Sequence, residues 1–153
     1  MYATTSHYLL KDSLAHLAMQ LSKAALRRIT QDLKAQGHPV TSEQWTALVH
    51  VWNQDGLTQL ELGIRLSKDK TNIARLVASL EQAGFIRREA GATDRREKSI
   101  HLTATGLAAM PSLAALVQRV LDHAYAGIDE HELSVCRRVL AKARNNLATP
   151  RTP

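Results

Sequence analysis

The sequence predicts a mainly α-helical fold that carries one small β-hairpin. At both ends of the chain, apolar residues recur every three or four positions over long stretches, which is typical of helices. Between these stretches lie shorter helical segments that begin at capping residues, and two short strand-like segments that enclose an Arg-rich loop. The 153 residues correspond to about one domain, and a hydrophobic content of 44% is enough to form a core.

The first two helices are predicted from periodicity and from their ends. The pattern of residues 8–35 indicates one long helix, which Gly37 and Pro39 terminate. Thr41 and Gln44 have the spacing of a capping box, in which each side chain binds the other residue's backbone N–H, so a second helix is expected from Thr41. Its buried face is predicted to consist of Trp45, Leu48, Val49 and Trp52.

Two short helices separated by a tight turn are expected next. Thr58 and Glu61 repeat the capping-box spacing and open a third helix that runs through Leu66. Residues 67–69 offer a turn and a new cap, and the fourth helix is expected over residues 70–82. Its buried face is predicted by an i, i+3, i+4, i+7 set of apolar residues: Ile73, Leu76, Val77 and Leu80.

A hairpin follows the fourth helix. Residues 85–89 and 98–102 are predicted strands around a loop that contains Gly91. Two short helices followed by such a hairpin are typical of a winged helix-turn-helix lobe.

The chain is expected to end in two further helices. The first runs from Thr103 to about Ala126, and Pro111 inside it should either kink it or end its first turns. Gly127 separates it from a last helix, which residues 129–132 cap and which ends near residue 147.

The fourth helix has an outward face suited to DNA. Its outward residues are predicted to be Lys70, Thr71, Asn72, Arg75 and Ser79. In a helix-turn-helix the second helix enters the major groove, where Arg binds guanine, Asn binds adenine and Thr contacts the thymine methyl group. Lys68, just before this helix, belongs to the predicted DNA-binding set. The alternative is that these side chains are simply a solvated helix face.

The positive charge of the chain is concentrated around this helix and the hairpin. The chain carries +6 at pH 7, and residues 65–98 contain nine Lys or Arg against five Asp or Glu, a local net charge of +4. Arg95 and Arg96 of the hairpin loop are expected to reach a minor groove, whose narrow A·T tracts attract Arg, and Asp94 is expected to orient them. The alternative is an Arg-rich hairpin that its charge keeps soluble.

Several other classes of protein are disfavoured. No Gly-rich phosphate loop, nucleophile elbow or His-Glu-x-x-His helix occurs, so an enzyme is not expected. No helical His pair occurs and Cys136 is the only cysteine, so no metal or other cofactor is expected.

No secretory pattern opens the chain and no apolar run approaches the ~20 residues of a membrane helix, which predicts a cytoplasmic protein. A module that binds an acidic protein instead of DNA is the alternative function.

A set of short motifs extends over nearly the whole chain. It comprises Gln44-Trp45, Glu61-Leu62-Gly63 with Leu66, residues 69–77, Leu80-Glu81, Gly84-Phe85-Ile86-x-Arg88, Asp94-x-Arg96 and Leu102-Thr103-x-x-Gly106. In this order and spacing, the motifs resemble those of the MarR-type (multiple-antibiotic-resistance) family of winged-helix transcriptional regulators.

This resemblance implies an obligate homodimer. The helices within residues 1–40 and 103–153 would form the dimerisation domain, and the winged helix-turn-helix lobe at residues 41–102 would bind double-stranded DNA. The apolar surface of the terminal helices agrees with this assembly, because pairing across a two-fold axis would bury it. Two recognition helices related by that axis predict a palindromic operator with half-sites about 34–36 Å apart.

The resemblance also implies control by a small ligand. Many members of the family respond to phenolic or anionic molecules that bind between the dimer helices and the winged lobe, which would place His16, Trp45 and Val49 around a pocket. The alternative for Trp45 is a core position on the second helix. The function predicted overall is a repressor that such a ligand releases from DNA.

Overall fold

The computed structural model describes residues 10–90 and 98–148. The elements in chain order are α1 (Leu14–Ala35), α2 (Ser42–Asn53), β1 (Leu57–Thr58), α3 (Gln59–Arg65), α4 (Lys70–Gln82), β2 (Ile86–Ala90), β3 (Lys98–Leu102), α5 (Ala104–Ala124) and α6 (Glu130–Ala148). The chain divides into two compact units, one that ends at Val120 and one that begins at Leu121, within α5. The predicted fold class, mainly helical with a small hairpin, is confirmed.

α1 begins later than the sequence predicts. The Ser13 hydroxyl accepts a hydrogen bond from the His16 backbone N–H at 3.3 Å and so caps the helix at Leu14. A single 3-10 turn over Leu10–Asp12 precedes this cap. Serine is favoured at a helix cap, so the helix begins after Ser13. The apolar periodicity nevertheless extends toward the N-terminus beyond this point.

Reciprocal hydrogen bonds cap α2 and α3 as predicted. The Thr41 hydroxyl accepts a hydrogen bond from the Gln44 N–H at 3.2 Å, and the Gln44 side chain accepts one from the Thr41 N–H at 2.9 Å. Thr58 and Glu61 form the same arrangement, at 3.2 Å and 2.8 Å. The hydrogen bonds from Thr58 hold the pKa of the Glu61 carboxyl below its usual range.

The buried face of α2 differs from the predicted one. Its buried residues are Ala47, Leu48 and Val51. Trp45 and Val49 are half-buried, and Trp52 is 44% exposed. The inward face is turned by about 100°, or one residue, from the predicted stripe. The helix contacts α1 and β3, and Leu48 is the one predicted residue of this face that is buried.

The three strands form one antiparallel sheet in the order β1-β3-β2. The hairpin registers Arg88 opposite Ile100, and Leu57 of β1 pairs with Ile100 from the other side. Leu57 and Ile100 are both fully buried, so the pairing of β1 with β3 connects the hairpin to the hydrophobic core. The prediction omitted β1 because two residues are too few to show strand alternation.

α5 runs through Pro111 without ending there. By length and composition alone it could span a membrane, so the expectation that no apolar run approaches that length is wrong. One face of the helix is buried in the protein core, and this face comprises about a third of the apolar stretch. The buried residues are Gly106, Met110, Leu113, Leu116, Val117 and Val120.

α6 starts at a reciprocal cap formed by Asp129 and Glu132, as predicted. None of its described residues is buried. Its exposed apolar side chains include Val139 and Leu147.

Candidate nucleic-acid interface

The turn between α3 and α4 is sharp and its geometry is well defined. Ser67 adopts a left-handed conformation with φ of +52°, and the Lys68 N–H donates to the Gly63 carbonyl oxygen at 2.9 Å. Asp69 then caps α4: its carboxylate accepts hydrogen bonds from the Asn72 backbone N–H at 2.8 Å and from the Asn72 side-chain amide at 2.6 Å. The backbone bond is the main reason why the pKa of Asp69 is lowered.

α4 presents its inward and outward faces largely as predicted. All four predicted core residues, Ile73, Leu76, Val77 and Leu80, are buried. Lys70, Thr71, Asn72 and Arg75 are exposed. Ser79 departs from the prediction, because it is half-buried and is held between α2 and α4. Its hydroxyl accepts a hydrogen bond from the Gln44 amide at 3.0 Å and donates to the Leu76 carbonyl oxygen at 2.8 Å.

A shallow cleft of about 330 Å³ lies between the start of α2 and the outward face of α4. Apart from Leu76, the residues that line it have polar side chains: Thr41, Glu43, Gln44, Asn72, Arg75 and Ser79. Neither Arg75 nor Lys70 has a hydrogen-bond or ion-pair partner among the residues that the structure describes. Both cations are therefore available to an anionic or hydrogen-bonding partner.

Lys68 is held more tightly than the sequence suggests. Its ammonium group forms an ion pair with the Glu43 carboxylate at the start of α2, and only 25% of its side chain is exposed. Glu43 and Lys68 are 25 positions apart in the chain, so no short-range sequence pattern could predict this contact. Glu43 is a residue of the site that the prediction missed.

The hairpin is joined to the end of α4. The Glu81 carboxylate accepts hydrogen bonds from the Arg88 backbone N–H and from two nitrogens of its guanidinium group. Arg87 is also engaged, through Glu89 and the Leu102 carbonyl oxygen. Two of the positive charges counted between residues 65 and 98, those of Arg87 and Arg88, are thus engaged in contacts that stabilise the hairpin.

A histidine joins the base of the hairpin to the loop after α2. The two ring nitrogens of His101 lie 2.8 Å from the Asp55 carboxylate and 2.8 Å from the Ser99 hydroxyl, and Glu89 is 3.7 Å away. The predicted wing residues Asp94, Arg95 and Arg96 lie outside the described residues. The contacts of Arg88 and His101 nevertheless position β2 and β3, the two strands between which these wing residues lie in the sequence.

The residues of the predicted ligand pocket do not line either of two surface clefts. His16, Trp45 and Val49 are each half-buried. They are absent from the cleft beside Arg75 and from a second cleft of about 370 Å³ on α3 and α4. The second cleft is lined by Gln59, Leu60, Gly63, Ile64, Lys68, Lys70 and Ile73. Within the described residues, no group of three or more His, Cys, Asp or Glu side chains could hold a metal ion.

Similarity to known proteins agrees with this arrangement. Residues 40–98, which contain α2 to the start of β3, match the family model of the MarR family. A 95-residue segment is 34% identical to the HTH-type transcriptional regulator TtmR of Methylorubrum extorquens (strain PA1) and covers 62% of this chain. That segment spans 48% of TtmR. The chain thus spans about half the length of this relative, and the same share of a second curated relative, a putative transcriptional regulatory protein of Thauera aromatica.

Two solved structures extend the similarity to the terminal helices. The transcriptional regulator PA3341 is 31% identical with a TM-score of 0.78, over 89% of this chain and 98% of the other. A MarR transcriptional regulator from Methanosarcina mazei Go1 has a TM-score of 0.78 at 20% identity, over 88% of this chain and 96% of the other. The second likeness concerns the fold alone. Together with the capped helix-turn-helix and its hairpin, these matches show that the chain belongs to the MarR family of transcriptional regulators, and not to a family of enzymes.

Proposed function

We propose that this chain is a cytoplasmic, homodimeric repressor that binds a palindromic site on double-stranded DNA and that a small ligand releases. The observation that carries the proposal is Arg75 on α4, which is exposed and has no hydrogen-bond or ion-pair partner among the described residues. It lies on the outward side of the helix with Lys70, Thr71 and Asn72. Arg can bind guanine in a bidentate manner, and exposed Lys and Thr side chains suit phosphates and thymine methyl groups. MarR-family regulators bind DNA and form dimers, which supports this use of the surface.

The contacts of individual residues suggest how α4 would read DNA. Asp69 already binds both the backbone and the side-chain amide of Asn72, so the Asn72 carbonyl oxygen and one amide hydrogen are left for a base edge. Arg75 lies one turn further along the same face. In our proposal these two side chains contact bases, Lys70 contacts a phosphate, and Arg95 and Arg96 enter a minor groove with Asp94 orienting them. Lys68 belongs to the same DNA-binding surface, but in the free protein its ammonium group is bound to Glu43.

The proposed dimer rests on apolar surface that a single chain leaves exposed. α1 carries exposed large apolar side chains along most of its length: Leu14, Leu17, Met19, Leu21 and Leu26, each between 39% and 51% exposed. α6 buries none of its described residues and exposes Val139 and Leu147. Exposed apolar surface of this extent is typical of an interface, and a two-fold axis would bury the same face of both copies. Residues 1–40 and 103–153 would then form the dimerisation domain around the lobe at residues 41–102.

The proposed effector is a small phenolic or anionic molecule. His16, Trp45 and Val49 offer an imidazole, an indole and an aliphatic group, and each is only half-buried in one chain. A pocket completed by the second copy would use the remaining surface of these side chains. Such a ligand would weaken DNA binding by favouring a dimer geometry that separates the two α4 helices from their half-sites.

Selection of genomic fragments by the purified protein tests this function. We expect recovery of a palindromic sequence with half-sites about one helical turn apart, and lower recovery when small aromatic acids are added. Failure to retain any fragment, combined with capture of an acidic protein that depends on Arg95 and Arg96, would instead support a protein-interaction module.

A further inference from the structure

We infer that Glu43 limits the DNA affinity of this protein by holding Lys68 away from the phosphate backbone. The inference rests on the proposed function, because it concerns the same surface of α4. It assigns a role to an acidic residue at the start of α2 that lies outside the helix-turn-helix itself.

The first argument is the geometry of the ion pair. Lys68 belongs to the turn that leads into α4, two positions before Lys70, and its ammonium group is bound to the Glu43 carboxylate. The side chain of Lys68 is 25% exposed, whereas that of Glu43 is 54% exposed. The acid therefore lies on the outer side of the pair, and the lysine extends along the protein surface beneath it.

The second argument is the charge balance around Lys68. The positive charge of Lys68 also acts on the Asp69 carboxyl and contributes to lowering its pKa. Lys68 therefore interacts with two carboxylates, with Glu43 in an ion pair and with Asp69 by electrostatic attraction. Asp69 is committed to capping α4 through Asn72, so Glu43 is the member of this group that can be changed without removing the cap.

The third argument is the position of Glu43 beside the candidate interface. Glu43 lines the same cleft as Asn72 and Arg75, so its carboxylate lies at the surface that would face DNA. The adjacent Gln44 connects α2 to α4 through Ser79, which makes this approach of the two helices independent of the ion pair. Loss of the pair would release Lys68 without detaching α2 from α4.

The physical consequence concerns both affinity and salt dependence. A lysine that contacts a phosphate releases one condensed counterion and makes the slope of log K against log salt concentration more negative by about 0.9. While Glu43 holds Lys68, that contribution is absent. Glu43→Gln should therefore raise the affinity for DNA about 5- to 10-fold per lobe near 0.1 M salt and steepen the slope by about 0.9 per lobe.

The test is a double-mutant cycle measured by DNA titration at several salt concentrations, on the fragment selected by the full-length protein. Glu43→Gln should bind more tightly and with a steeper slope, Lys68→Gln should differ little from the wild type, and the double variant should lose the gain. Glu130→Gln is a matched control, because it makes the same charge change in the Glu130 and Arg137 ion pair of α6 and should leave both quantities unchanged.

Three outcomes would overturn the inference. An unchanged affinity and slope in Glu43→Gln would show that Glu43 does not limit binding, while a loss of affinity in Arg75→Ala would still support the proposed function. A gain that persists in the double variant would show that Glu43 repels DNA directly and not through Lys68. Absence of DNA binding by the wild type would overturn the proposed function together with this inference.

Discussion

Glu81 of α4 accepts three hydrogen bonds from Arg88 of β2, one from the backbone N–H at 3.2 Å, one from Nε at 3.0 Å, and one from Nη2 of the guanidinium group. A single carboxylate thus joins the helix proposed to enter the major groove to the hairpin proposed to reach the minor groove. The bond from the Arg88 side chain holds the pKa of Glu81 below its ordinary value and raises that of Arg88. The position of the hairpin relative to α4 therefore depends on this pair.

Glu81→Gln should destabilise the fold by about 1 kcal/mol at pH 7, because an amide cannot replace the charge-assisted bonds to Arg88, and partial exposure to solvent moderates the loss. Urea denaturation measures this difference. Gln82→Ala, at the exposed neighbouring position, is the control and should be nearly neutral. Equal loss in both variants would point to a general weakening of the end of α4.

The same pair predicts a pH dependence of stability. Because the pKa of Glu81 is lower in the folded chain than its ordinary value of 4.5, its contribution is complete above about pH 4.5 and is lost as the pH falls through the lowered value. The stability difference between the wild type and Glu81→Gln should therefore shrink in acid. Denaturation midpoints measured between pH 7 and about pH 3 test this, and a difference that stays constant throughout would contradict the assignment.

Gly106→Ala should destabilise the protein by about 1–3 kcal/mol, as overpacking does. A Cβ at this position would lie 2.1 Å from the Phe85 carbonyl oxygen, so the start of α5 would have to move away from the segment between α4 and β2. Gly63→Ala is the matched control, because its Cβ would make ordinary contacts of 3.4 Å with the Lys68 carbonyl oxygen and 3.5 Å with Ile73. Thermal unfolding of both variants should separate them clearly.

Leu17→Glu should convert the proposed dimer to a monomer. Leu17 is 46% exposed on α1, and a carboxylate at this position would be buried without a partner in a two-fold interface. Sedimentation velocity should give twice the 16.9 kDa of one chain for the wild type and a single chain for the variant. Gln20→Glu introduces the same carboxylate at an exposed, already polar position of α1 and should remain dimeric. A wild-type protein that sediments as a monomer at micromolar concentration would exclude the dimer.

Local patterns in the sequence predicted most of the fold, whereas contacts between distant positions were not predictable. The caps at Thr41, Thr58 and Asp69 depend on residues three positions apart, and the inward face of α4 depends on helical spacing, so both could be derived. The predicted face of α2 was wrong by one residue because helical spacing alone does not decide which of several apolar residues turn inward, and the small Ala47 is buried while Trp52 is 44% exposed. The contact of Glu43 with Lys68 joins two segments that are distant in the sequence, so no periodic pattern of residues indicates it.

The central claim is that the outward face of α4 reads DNA, and titration of Arg75→Ala on the selected site tests it most directly. We expect a loss of about 1–3 kcal/mol in binding free energy and relaxed specificity at one base pair, whereas Arg96→Ala should weaken binding evenly across sequences. Lys34→Ala, which removes one positive charge from the exposed last turn of α1, is the control and should have little effect. Unchanged affinity and specificity in Arg75→Ala would contradict the claim.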